Sequence, residues 1–98
     1  MTSRLHEQAE WVYDAAMSRK PSGIVAVRMI NLTIDHIKAR GKARGSRDRA
    51  GYEPIYLVEI STNRVSCSCP AFQHGGVGSA CKHLGLLAAR LLVKLSYL

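Results

Sequence analysis

The chain has 98 residues, enough for one domain and too few for two, and its 47% hydrophobic content is ordinary for a globular protein. Fourteen Lys and Arg against seven Asp and Glu give a net charge of +7, which favours a polyanionic partner such as nucleic acid. The most apolar segment, residues 84–98, is too short and too charged to span a membrane, and three cysteines cannot all pair within one chain. We therefore expect a soluble intracellular protein of the cytoplasm, nucleoid or nucleus, with no membrane contact.

Two helices and three to four strands are predicted in chain order. The first helix starts at Ser3 and carries an apolar stripe with spacings of four, three and four residues, from Leu5 to Ala16. The last helix begins near Ser79 and continues almost to the end. Residues 1–98 are thus predicted to form one α+β domain, a small antiparallel sheet of three to four strands flanked by an N-terminal and a C-terminal helix. The predicted strands are residues 24–30, 32–38, 54–60 and 64–69, the last two forming a hairpin through a turn at 61–63.

Residues 38–49 contain six basic residues and one acidic residue, separated by Gly, Ala and Ser. The segment is predicted to be a long exposed loop or an extended hairpin tip, and its arginines could bind phosphates bidentately. A solvated loop without a ligand is the alternative interpretation. Further cations recur at near-helical spacing on the last helix. The candidate nucleic-acid contacts are therefore Lys38, Arg40, Lys42, Arg44, Arg47, Arg49, Lys82, Arg90 and Lys94.

All three cysteines lie in residues 67–83, arranged as Cys67-x-Cys69, eleven residues, then Cys81-x-His83. Residues two apart on a strand point to one face, so the first pair can converge on one ion. On a helix such residues diverge, so Cys81 is expected in the turn before the last helix and His83 in its first turn. Three thiolates and one imidazole favour zinc, and the candidate metal ligands are Cys67, Cys69, Cys81 and His83.

Other interpretations of the cysteine stretch remain open. Cys67 and Cys69 alone could form a redox dithiol, a cysteine and a histidine could form a nucleophilic pair, or the thiols could simply be buried. His74 lies in the spacer and could replace His83 or add a fifth contact. His6 and His36 are expected not to be ligands.

The ligand pattern resembles that of the SWIM-type zinc finger, C-x-C followed by a variable spacer and C-x-H. The resemblance covers about residues 54–92 and includes Cys67-Ser68-Cys69-Pro70, the aromatic Phe72, and Cys81-Lys82-His83-Leu84 leading into a helix. It implies a ββα zinc site that works in DNA binding or protein interaction.

Four protein ligands leave no open coordination position, so the zinc is expected to be structural and the protein not to be an enzyme. The favoured function is largely sequence-independent binding of DNA or RNA, within a larger assembly. One alternative is an adaptor for an acidic partner such as an ATPase or recombinase-like subunit, and another is an RNA-bound accessory protein of a ribonucleoprotein particle. The last helix is apolar on most sides, so either the first helix covers it or it contacts a protein partner or a second copy.

Overall fold

A computed structural model describes residues 4–19, 27–35, 37–45, 50–69 and 81–96. Four strands lie between two helices along the chain, in the predicted order. The neighbouring strands are antiparallel, and their order in the sheet is β1-β2-β3-β4. The predicted α+β class is therefore confirmed, with four strands. The elements are α1 (Arg4–Arg19), β1 (Arg28–Ile34), β2 (Lys38–Arg44), β3 (Ile55–Ser61), β4 (Val65–Cys67) and α2 (Lys82–Ser96).

Both helices pack on the same face of the sheet and against each other. The apolar stripe predicted for α1 is buried in this core, and it meets a stripe on α2 and alternate residues of β3. The first helix therefore covers a large part of α2, as one of the two interpretations expected. The largest buried side chains of this core are Leu5, Val12, Val58, Ile60, Leu84, Leu87 and Leu91.

The prediction of a loop over residues 38–49 was wrong for Lys38–Arg44, which forms the inner strand β2. Its small residues Ala39, Gly41 and Ala43 are buried beneath the helices, while Arg40 and Lys42 between them are exposed. A strand with basic residues on one face and small residues on the other can bury the second face without burying charge. Residues 46–49, with Arg47 and Arg49, lie outside the described residues.

The first two predicted strands were also placed wrongly, since β1 runs without a break across Asn31. The pairing of β1 with β2 shifts between Met29 and Asn31, so the irregularity at Asn31 is a bulge within a strand. The Asn31 side-chain oxygen accepts a hydrogen bond from the Lys42 backbone N–H at 3.1 Å, which keeps the bulge attached to β2. Residues 24–26 and 36 lie outside the described residues.

The hairpin of β3 and β4 is confirmed. Its turn is closed by a hydrogen bond of 2.7 Å from the Ser61 backbone N–H to the Arg64 carbonyl oxygen. The regular pairing ends at Cys67, two residues before the predicted end. Helix α2 begins at Lys82 rather than near Ser79, which lies outside the described residues. The hairpin and the start of α2 are the two parts of the fold that carry the cysteines.

Candidate metal centre

Four side chains from two separate segments converge in the core. Cys67 ends β4 and Cys69 follows it, while Cys81 directly precedes α2 and His83 lies in the first turn of α2. Their candidate ligand atoms all lie within 4.8 Å of one another, and each residue is at most 4% exposed. The structure thus brings together the four side chains that the sequence singled out, with Cys81 and His83 in the predicted positions.

The Cys67–Cys69 pair is held by backbone hydrogen bonds at the end of the hairpin. The Cys69 backbone N–H points to the Cys67 sulfur, with a distance of 3.4 Å between the two atoms. Between the two cysteines, the Ser68 N–H donates to the Leu57 carbonyl oxygen at 3.1 Å, and the Leu57 N–H donates to Ser68 Oγ at 3.0 Å. Ser68 is therefore attached to β3 at both its backbone and its side chain, and the two thiols beside it are oriented together.

Cys81 caps the N-terminus of α2. The Gly85 backbone N–H donates to the Cys81 carbonyl oxygen at 2.9 Å, which is the first hydrogen bond of the helix. The pKa of the Cys81 thiol is lowered to about 4, chiefly by a hydrogen bond from the Cys67 thiol and then by the His83 side chain and the Leu84 backbone N–H, against the opposing effect of burial. The pKa of Cys67 is raised, mainly because its proton is held in the hydrogen bond to Cys81 and because it is buried.

The buried donor atoms fit a metal ion. Both ring nitrogens of His83 are buried, and within the described residues neither makes a hydrogen bond of regular geometry. A buried polar atom without a partner is costly, and a metal–nitrogen bond removes that cost. The three thiols form no disulfide, and one of them already favours the thiolate form that a metal requires. Three sulfurs and one imidazole nitrogen at this separation match a closed tetrahedral zinc site.

Tyr56 and Gly45 support this cluster, and the sequence analysis gave neither a role in it. The ring of Tyr56 contacts the ring of His83, and burial together with the nearby Cys69 and Cys67 raises the pKa of the tyrosine. A Cβ atom at Gly45 would lie 2.5 Å from the Tyr56 ring, so glycine at the end of β2 lets the tyrosine approach the backbone. The alternation of β3 could have located Tyr56, because Val58 on the same face pairs with Cys67.

Of the three remaining histidines, the structure describes His6. His6 lies on α1, where its Nδ1 is 2.7 Å from Glu10 Oε1, and it is not part of the cluster, as predicted. His36 and His74 lie outside the described residues, as does Phe72.

The candidate nucleic-acid contacts that the structure describes lie on two separate surfaces. Lys38, Arg40, Lys42 and Arg44 alternate along β2 and point away from the helices, whereas Arg90 and Lys94 are exposed on α2, on the other side of the sheet. Lys82 is in the first turn of α2 and is half-buried. Arg44 forms an ion pair with Glu53 at 3.2 Å. The structure therefore does not join these cations into one continuous site.

Within the part of the chain that the structure describes, neither helix has the length and apolar character required to cross a membrane.

Residues 56–91 match the family model of the SWIM zinc finger. The matched segment includes the β3–β4 hairpin, the four clustered residues and most of α2. No curated protein and no solved structure shows significant similarity to the chain. The SWIM zinc finger is a zinc-binding module rather than a catalytic domain. The family match spans the buried Cys3His cluster, and residues 56–91 of this chain therefore form a SWIM-type zinc finger that binds zinc.

Proposed function

We propose that the chain is a nucleic-acid-binding module built around a structural zinc ion, which serves as a subunit or accessory of a larger assembly. Cys67, Cys69, Cys81 and His83 hold the zinc, and they thereby join the hairpin to α2. Since all four positions of a tetrahedral ion are then occupied by protein, the ion has no site for substrate or water and the module is not an enzyme.

The observation that carries the proposal is the row of cations on β2. Arg40 and Lys42 are exposed on the sheet face opposite the helices, and within the described residues neither has a carboxylate ion-pair partner. Arg28 on β1 and Arg64 beside β4 are exposed around them. A concentration of unneutralised positive charge on one face of a protein with net charge +7 favours a polyanion.

Binding is expected to depend little on sequence. Lys and Arg on an open sheet face reach phosphate oxygens, which are the same at every nucleotide. In the described residues this face carries no helix that could enter a groove and contact base edges. Electrostatic contacts of this kind release counterions, so the affinity must fall as salt rises.

Fluorescence anisotropy with labelled DNA and RNA over a salt series tests the proposal. The double variant Arg40→Ala/Lys42→Ala should lower the magnitude of the slope of log K against log salt by about 1.4 on single strands and about 1.8 on duplexes, following slopes of about 0.7 and 0.9 per phosphate. Its matched control is Arg90→Ala/Lys94→Ala, which removes the same charge from exposed positions on α2.

The control variant distinguishes binding at the β2 surface from attraction by net charge alone. Equal losses in both double variants would mean that net charge alone attracts the nucleic acid and would contradict the assigned surface. If the wild-type protein binds neither DNA nor RNA at low salt, the nucleic-acid function is wrong. The adaptor interpretation then predicts that Arg40→Ala/Lys42→Ala loses an acidic protein partner instead.

A further inference from the structure

We propose that the outer face of the sheet binds nucleic acid as an extended single strand, with the phosphates along β2 and the bases over β3. This inference rests on the proposed function and names the form of nucleic acid that fits the surface. It follows from two parallel rows of side chains on neighbouring strands.

The first row is cationic. Lys38, Arg40, Lys42 and Arg44 occupy alternate positions of a strand that pairs with β3 without a register shift, so all four point to the outer face. Residues two apart on a strand are separated by roughly 6.6–6.8 Å, a step similar to that between successive phosphates of an extended strand. The row can therefore follow a stretched phosphate backbone over several nucleotides.

The second row is apolar and lies directly beside the first. Leu57 pairs with Lys42 and Ile55 pairs with Arg44, so their side chains share the outer face with those cations. Leu57 is 59% exposed and Ile55 is 51% exposed, which is unusual for large aliphatic residues in an inner strand. Paired strands are about 4.7–4.9 Å apart, so a ligand lying on this face meets charge on one side and hydrocarbon on the other.

A groove of about 530 Å³ runs over this part of the sheet. Arg40 and Lys42 line it together with Leu57, and Arg64 lines it from the turn before β4. Asn31 and Thr33 of β1 add polar groups beside the cations. Glu59, which pairs with Arg40, is the acidic residue among those that line the groove. The groove thus combines apolar and cationic walls.

The combination of a cationic row and an apolar row favours a single strand over a duplex. In a duplex the bases are stacked inside, so only phosphates would face the sheet and the exposed leucine and isoleucine would contact nothing apolar. In an extended single strand the bases are accessible, and their faces can cover Leu57 and Ile55. None of the aromatic side chains in the described residues lines this groove, so the base contacts are aliphatic and insensitive to base identity.

The test compares a single strand of about 12 nucleotides with a duplex of the same length, using the zinc-loaded full chain. We expect the single strand to bind at least about tenfold more tightly. Leu57→Thr retains a strand-forming residue but removes apolar surface, and it should weaken single-strand binding about three- to tenfold while leaving the salt slope unchanged. Val93→Thr, which changes another highly exposed aliphatic residue on α2, is the matched control and should have no effect.

The outcomes separate the two proposals. Equal affinity for single strand and duplex, with no effect of Leu57→Thr, would overturn the single-strand inference and leave nucleic-acid binding intact. No binding to any oligonucleotide at low salt would overturn both. Polyglutamate that competes as well as the single strand at equal charge would also contradict the inference, because it would show that charge alone is recognised.

Discussion

The ring of Tyr56 packs against the ring of His83, with the centroids 5.0 Å apart and the planes inclined at 58°. The tyrosine comes from β3 and the histidine from the first turn of α2, so the contact joins the sheet to the helix at the metal cluster. Gly45 lies behind the tyrosine at the end of β2 and makes room for its ring. Three elements thus determine the position of one metal-binding imidazole.

Gly45→Ala should therefore weaken both folding and zinc binding. The new methyl group would lie 2.5 Å from Tyr56 Cε2 and 3.1 Å from Pro54 Cγ, so the ring must move from its place against His83. We expect a loss of about 1–3 kcal/mol in the free energy of unfolding, together with a weaker zinc affinity. Urea denaturation of the zinc-loaded protein and competition with a chromophoric chelator measure the two effects.

Gly51→Ala is the control for this variant. Nothing lies within 4 Å of a Cβ atom at Gly51, but its φ of 82° is unfavourable for alanine. The control should lose about 1–2 kcal/mol from backbone strain and keep its zinc affinity. A zinc affinity that is unchanged in Gly45→Ala would show that Tyr56 does not position His83.

Removal of zinc should unfold the protein. Structural zinc contributes an apparent free energy of about 10–16 kcal/mol in small domains, which is as large as the whole stability of a typical domain, about 5–15 kcal/mol. Native mass spectrometry should show one zinc per chain, and circular dichroism should show loss of helix after chelation. His83→Ala should reproduce this loss, whereas His6→Ala on α1 should keep both zinc and fold. A folded, metal-free chain after chelation would contradict the structural role.

The metal cluster could be predicted because its ligands are specified by local spacing. Cys67 and Cys69 are two residues apart at the end of a strand, and Cys81 and His83 straddle a helix start, so the sequence contains most of the geometry. The residues that hold the cluster in place, Tyr56 and Gly45, were not predicted to have this role. Gly45 is distant from His83 in sequence, and Tyr56 reaches it through the tertiary packing of β3 against α2.

The strand β2 was missed for a different reason. Its side chains are basic or very small, so they give neither the hydrophobic content nor the β-branched residues by which strands are normally recognised. The sequence does contain one indication of a strand, because basic and small residues alternate from Lys38 to Arg44. Ala39 and Ala43 are fully buried on the face of β2 opposite its basic side chains, and α2 contacts this strand.

Gly41→Ala should destabilise the pairing of β1 with β2. A methyl group at this buried position would collide with the Asn31 carbonyl oxygen at the bulge and lie 3.0 Å from the Met29 sulfur. The backbone oxygen cannot move without shifting β1, so we expect a loss of about 1–3 kcal/mol in denaturant unfolding. Lys42→Ala, at the exposed neighbouring position, should stay within about 0.5 kcal/mol of the wild type. Equal stabilities of the two variants would contradict the close approach at Gly41.

Glu59→Gln should strengthen nucleic-acid binding. The carboxylate lines the groove and pairs across the strands with Arg40, so it repels phosphates at the surface that we assign to them. Removing its charge without changing its size should raise the affinity about two- to fivefold at low salt, and the gain should shrink as salt screens the charges. Glu10→Gln on α1 removes the same charge elsewhere and should have a smaller effect. Anisotropy titrations of both variants measure the difference, and a loss of affinity in Glu59→Gln would contradict the assigned surface.

The two hydrogen bonds between Ser68 and Leu57 join the metal cluster to the outer face of the sheet. Ser68 lies between two candidate ligands, and Leu57 lies in the groove assigned to the bases. Any ligand that holds this part of β3 in place therefore also holds the sulfur atoms that retain the ion, and thermodynamic linkage requires the influence to be mutual. An oligonucleotide bound in the groove should accordingly raise the concentration of chelator needed to remove the zinc, so that the protein holds its metal most tightly while the groove is occupied.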